Sequence, residues 1–142
     1  MPGVGSLDGA VADAHFVSLH VPMSAENHHL INAARLALMK PNAILLNAAR
    51  GTLIDTPALV ASLKSGALGG AGLDVFDPEP PDPNDELLKL SSVVVTPHIA
   101  ARTLEVFLDR RWRAARNLVA VARGEPCPDI VNPEALARRY PA

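Results

Sequence analysis

Apolar positions along this chain fall into two kinds of pattern that take turns. Four short runs read as strands: residues 15–20 (HFVSLH), 44–46 (ILL), 69–76 (GGAGLDVF) and 92–96 (SVVVT). The run 44–46, short and continuously apolar, suits a parallel strand covered on both faces better than an alternating surface strand. Around them, apolar residues recur at helical spacing: Leu7 to Ala14, then Ala33, Leu36, Ala37 and Met39, then Leu59, Val60 and Leu63. A longer stretch, about residues 103–123, carries Leu104, Phe107, Leu108, Trp112, Ala115, Leu118, Val119 and Ala122 on what should be its inward side. Strands and helices alternate four times, which predicts an α/β fold: a doubly wound parallel sheet with helices on both faces.

The polar punctuation agrees with these limits. Asn32, Asp55 or Thr56, and Thr103 stand where helix N-caps belong, with Pro57 suited to a first turn. Gly66 and Gly124 are plausible C-terminal stops, and Pro22 and Pro41 close the elements before them. The small residues of 69–76 are expected to let a helix or a cofactor come close. Residues 77–86 (DPEPPDPNDE) form an acidic, proline-stiffened loop, followed by a short helical turn in DELLKL.

Composition narrows the class. With 142 residues, the chain is expected to form one domain over 1–142 and to bury roughly 68 to 70% of its unfolded surface. Hydrophobic residues make up 49% and charged residues 20%, which argues against wholesale disorder. A formal charge of −2 supplies no field for nucleic acid or an acidic membrane. Arg110, Arg111, Arg113 and Arg116 share the long helix with Glu105 and Asp109 and lack interleaved aromatics, so that face is read as solvated or subunit-facing. No run approaches the ~20 apolar residues of a membrane span, and a cytoplasmic protein is expected. Cys127 has no second cysteine to pair with and reads as a bystander. Adjacent His28 and His29 should point in different directions, and without further ligands nearby no metal site is expected. Gly3, Gly5 and Gly9 do not make a dinucleotide loop, because no strand precedes them and position 8 is Asp8.

Three segments carry candidate chemistry. Arg50 follows the strand 44–46 in NAARGTLID, Asp74 and Glu79 lie in DVFDPEP, and His98 lies in TPHIA. Read singly, Arg50 is a surface arginine, Asp74 caps a turn and His98 is a structural histidine. Together and in this order, each lies at or beyond the C-terminal end of a strand, the edge where open α/β sheets place ligands. The combination resembles the D-isomer-specific 2-hydroxyacid dehydrogenases from about Leu7 onward, and specifically the later half of their nucleotide-binding domain.

That resemblance implies a partial Rossmann-like sheet and an NAD(P)-dependent oxidoreductase acting on a 2-hydroxy acid or 2-keto acid. It implies that His98 is the acid/base, that Glu79 accepts a hydrogen bond from it, and that Arg50 grips the substrate carboxylate, a task suited to its planar fork of donors. The nicotinamide half of NAD or NADP would lie against Pro22, Asn47, Ala48, Asp74, His98 and Ala100. The tail, residues 125–142, resembles the family's closing segment. Neither a GxGxxG strand–loop–helix nor a separate substrate domain is found in these 142 residues. Cofactor binding is therefore expected to be weak, and the chain to be a truncated or split form needing a homodimer mate or a partner with the missing half. The alternative is a catalytically silent dimerisation module built on an open sheet edge.

Overall fold

The computed structural model describes residues 5–127 and 129–132. The described residues separate into two compact units, divided between Ala100 and Ala101.

In the first unit, α1 (Leu7–Asp13) is capped by Ser6, whose hydroxyl accepts from the Gly9 amide. It leads to β1 (Phe16–Leu19), α2 (Ala33–Leu38), β2 (Ile44–Asn47), α3 (Thr56–Lys64), β3 (Gly70–Leu73) and β4 (Val93–Val95). The caps read from sequence form: Asn32 Oδ1 accepts from the Arg35 amide and Asp55 Oδ1 from the Ala58 amide. Gly66 ends α3 with φ of 74°, a left-handed conformation that side chains other than glycine adopt at a cost.

The four strands are parallel and lie in chain order, β1-β2-β3-β4. Every crossover therefore steps to the next strand in the same direction. Right-handed crossovers that keep one direction place their helices on one face. Val11 of α1, Leu36 of α2 and Leu59, Val60 and Leu63 of α3 pack with Leu19, Leu45, Ala71 and Leu73 in one core. The opposite face carries Phe16 and Val94, each 70% exposed, and an exposed Leu46. The parallel α/β expectation holds, and α1, α2 and α3 supply the helical side of the core of these four strands.

Two differences are local. The glycines of β3 make room for neighbouring strands: a Cβ on Gly70 would meet Ser92 O at 2.8 Å, and one on Gly72 would meet the Leu46 side chain at 2.8 Å. Neighbouring strands already occupy that space. Residues 29–31 and 52–55, read as turn and loop, pair across the fold, with Ile31 N donating to Leu53 O at 2.9 Å and Asp55 N to Ile31 O at 3.0 Å. This buries Ile31, Leu53 and Ile54 and ties the loop after β1 to the loop after β2.

In the second unit, α4 (Leu104–Ala122) starts at Thr103, whose hydroxyl accepts from the Val106 amide, and ends before Gly124, with φ of 68°. Its apolar positions were expected to face inward, yet none of its residues is buried; Trp112 is 64% and Leu118 72% exposed. The periodicity defines a stripe, not what covers it. On the basic face Arg111 lies 3.5 Å over the Phe107 ring, and Arg113 pairs with Asp129, which also accepts from Asn117 at 3.0 Å. Of the tail 125–142, residue 128 and residues 133–142 lie outside the described residues.

Candidate active site

Parallel strands all end at the same edge, so the loops after β1, β2, β3 and β4 gather there and bring with them every candidate residue read from the sequence. Asn47, the last residue of β2, is 2% exposed and acts on its own loop: its Nδ2 donates to Arg50 O at 2.8 Å and its Oδ1 accepts from Ala49 N at 3.0 Å. Both ends of the amide are thus used in shaping the turn through Ala48 and Ala49 that presents Arg50. The guanidinium is at the surface, with Nη1 donating to Ala49 O at 2.6 Å. Gly51 explains why no side chain follows: a Cβ there would sit 1.9 Å from Phe76 O and 2.6 Å from Asp77 N. The Arg50 loop is pressed directly against the backbone of the loop that carries Glu79.

Glu79 and His98 meet. His98 Nδ1 and Glu79 Oε1 lie 2.6 Å apart, and Glu79 Oε2 accepts from Phe76 N at 3.4 Å. The hydrogen bond from His98 is the main reason the Glu79 carboxyl is held below its usual value; desolvation opposes it and the Phe76 amide helps. A carboxylate fixed on Nδ1 sets the ring's orientation and tautomer, and Nε2 has no partner among the described residues. Beside the pair lies a mostly apolar cavity of about 520 Å³ lined by Phe76, Glu79, Pro80, Leu88, Val95 and His98.

Asp74 lies beneath, 6% exposed. Its Oδ1 accepts from the Thr96 hydroxyl at 2.5 Å and from Ile99 N at 2.8 Å, and its Oδ2 from Ala100 N at 2.8 Å. Burial alone would raise this carboxyl; the Thr96 hydroxyl and the Ala100 and Ile99 amides outweigh it, and the group is held below its ordinary value. Thr96 was read only as a β-branched strand residue, and no local signal pairs its hydroxyl with a residue so far back in the chain. Pro22 lies in the loop after β1, where its carbonyl accepts from Asn27 Nδ2 at 3.1 Å. His28 and His29, expected to diverge, stack with centroids 3.9 Å apart, and His29 has a φ of 50°. Among the described residues no group of three potential metal ligands forms, and no helix is long and apolar enough to cross a membrane.

A parallel sheet whose C-terminal edge gathers an arginine, a buried aspartate and a glutamate-bound histidine defines a Rossmann-like dinucleotide-binding domain. The chain belongs to the D-isomer specific 2-hydroxyacid dehydrogenases: residues 2–100 match the NAD binding domain of that family. It is 49% identical over 133 residues to a glyoxylate reductase of Thermofilum pendens, an alignment covering 94% of this chain and 39% of that protein. Among solved structures, it superposes on the TT0316 protein of Thermus thermophilus with a TM-score of 0.84 at 47% identity, covering 89% of this chain and 40% of the other. D-lactate dehydrogenase with NAD+ from Lactobacillus jensenii gives a TM-score of 0.81 at 31% identity, covering 89% and 42%. The chain thus spans about two fifths of the length of the relatives it matches.

Proposed function

We propose that this chain supplies the nicotinamide-side half of an NAD(P)-dependent 2-hydroxyacid dehydrogenase, with glyoxylate and other small 2-keto acids as the substrate class. The observation that carries the reading is the 2.6 Å contact between His98 Nδ1 and Glu79 Oε1, at the strand edge shared with Arg50. The nicotinamide accepts or delivers a hydride at the substrate's α-carbon when bound. His98 Nε2 takes the hydroxyl proton during oxidation and returns it during reduction. Glu79 holds the ring through Nδ1 and stabilises its protonated form. Arg50 binds the carboxylate with its surface-exposed guanidinium and fixes the neighbouring carbon.

The residues at this edge fit a nicotinamide end. Asp74 lies at this edge with Oδ2 accepting from Ala100 N, and the Asn47 amide is used on both sides in its own loop. Pro22, Ala48, His98 and Ala100 complete the wall. NAD and NADP are equally compatible with it. The 142 residues contain no GxGxxG strand–loop–helix to hold the pyrophosphate. Weak cofactor affinity follows, in a cytoplasmic protein that works as a homodimer or with a chain bearing the complementary half.

The test is NADH-dependent reduction of glyoxylate, pyruvate and hydroxypyruvate. Positioning the two carbons supplies ~7 to 11 kcal/mol of barrier reduction, whereas acid/base help alone supplies only about 10² to 10⁴ in rate. Little or no turnover is expected from the 142 residues alone. Fusion to the complementing segment of a relative should restore activity, and His98→Ala in that fusion should abolish it. A folded fusion that stays inactive, or one indifferent to His98→Ala, would leave the silent dimerisation module as the better reading.

A further inference from the structure

We propose that Asp74 is a positioning residue for His98, acting through Thr96, Ile99 and Ala100. The inference deepens the proposed reading, resting on His98 as the acid/base and naming what holds it in place.

Three consecutive amides converge on Asp74. His98 N donates to its carbonyl oxygen at 2.9 Å, Ile99 N to Oδ1 and Ala100 N to Oδ2, both at 2.8 Å. Successive N–H groups turned toward one point make a concavity suited to an anion, and here the chain's own carboxylate fills it. His98 needs this support, because its φ of 53° is a left-handed conformation that a non-glycine residue keeps only when its surroundings hold it. The Thr96 hydroxyl anchors the approach to the same carboxylate from the other side of Pro97. Asp74 is itself tied to the neighbouring loop, its amide donating to Asn47 O at 2.9 Å. Asn47 and Asp74 are the two polar residues buried among those described, and each holds the backbone beside a candidate catalytic group. A buried carboxylate is costly unless fully hydrogen-bonded, so its retention against an apolar core is explained by what it grips. His98 is then clamped twice, with Glu79 on its ring and Asp74 on its backbone.

Asp74→Asn keeps the shape but turns an NH₂ toward one of the amides the carboxylate served. Thr96→Val removes one donor, and Thr96→Ser restores it. Each variant of the 142-residue chain is followed by ¹⁵N NMR of the His98 ring and by amide hydrogen exchange, neither of which reads turnover, so the result is independent of whether the chain is an enzyme. In Asp74→Asn, exchange at whichever of Ile99 and Ala100 faces the new NH₂ should speed by about tenfold or more, as expected on losing a charge-assisted hydrogen bond. The Nδ1 signature of the bond to Glu79 should weaken, with Leu45 and Ala71 keeping their protection. Thr96→Val should move the ring signals the same way, and Thr96→Ser should return them. The proposal is overturned if the His98 signals of Asp74→Asn match the wild type, or if the sheet amides lose protection in step with the loop. Should Asp74→Asn fail to fold, the Thr96 pair decides: indistinguishable Val and Ser variants overturn it equally.

Discussion

Gly51→Ala is the most informative single perturbation of this site, because ordinary expectation and the structure give opposite signs. Replacing glycine by alanine at an unstrained position stabilises a protein by roughly 0.4 to 1 kcal/mol, through the unfolded chain's lost freedom. Gly51 is not in a left-handed conformation, so that gain should apply. The obstacle is steric. The added carbon would lie 1.9 Å from Phe76 O and 2.0 Å from Phe76 C, about 1.5 Å short of the 3.4 Å where ordinary contact begins. Both partners are backbone, and neither can swing away as a side chain would. Overpacking costs typically 1 to 3 kcal/mol, and a backbone collision belongs at the upper end, so a net loss of about 2 to 3 kcal/mol is expected. Against a total of about 5 to 15 kcal/mol, that is a large shift in a urea titration monitored by circular dichroism. The same displacement should part the Arg50 loop from the loop bearing Glu79, so the His98 ring signals should broaden or move. An alanine variant as stable as wild type, with unchanged His98 resonances, would refute the close approach and the juxtaposition built on it.

Two further outcomes are expected. His98→Ala should let the Glu79 carboxyl rise toward its ordinary value, since the hydrogen bond from His98 is the largest cause of its depression; a ¹³C titration of Glu79 checks this. By linkage, a depressed carboxyl contributes stability that is present above its unfolded value of about 4.3 and is lost as pH falls through the folded one, so the variant should lose less stability on acidification than wild type. The chain should also self-associate, because Leu104, Trp112 and Leu118 on α4, and Phe16 and Val94 on the sheet, leave large apolar groups in water. Sedimentation across a concentration series tests it, and a monomer at tens of micromolar contradicts it.

What was legible in the sequence is what depends on near neighbours. The caps at Asn32, Asp55 and Thr103, the glycine stops at 66 and 124, and the four strand positions all follow from contacts within a few residues, so local spacing specified them. Parallel strands share one C-terminal edge, so placing Arg50, Glu79 and His98 beyond successive strands already put them on one side. Their roles came only from the family resemblance, since a lone arginine or histidine has no local signature of chemistry. Tertiary structure decided the rest. The order of the strands, invisible in a pattern of apolar runs, came from the crossovers, and Phe16 and Val94 are exposed. The pairing of Ile31 with Ile54 and the grip of Asp74 on Thr96, Ile99 and Ala100 join groups 22 to 26 residues apart. An extended aspartate and a turn-capping aspartate look alike in one dimension. Only when β3 and β4 lie side by side does the chain bring three donors within reach of one buried carboxylate, and no local spacing encodes that meeting.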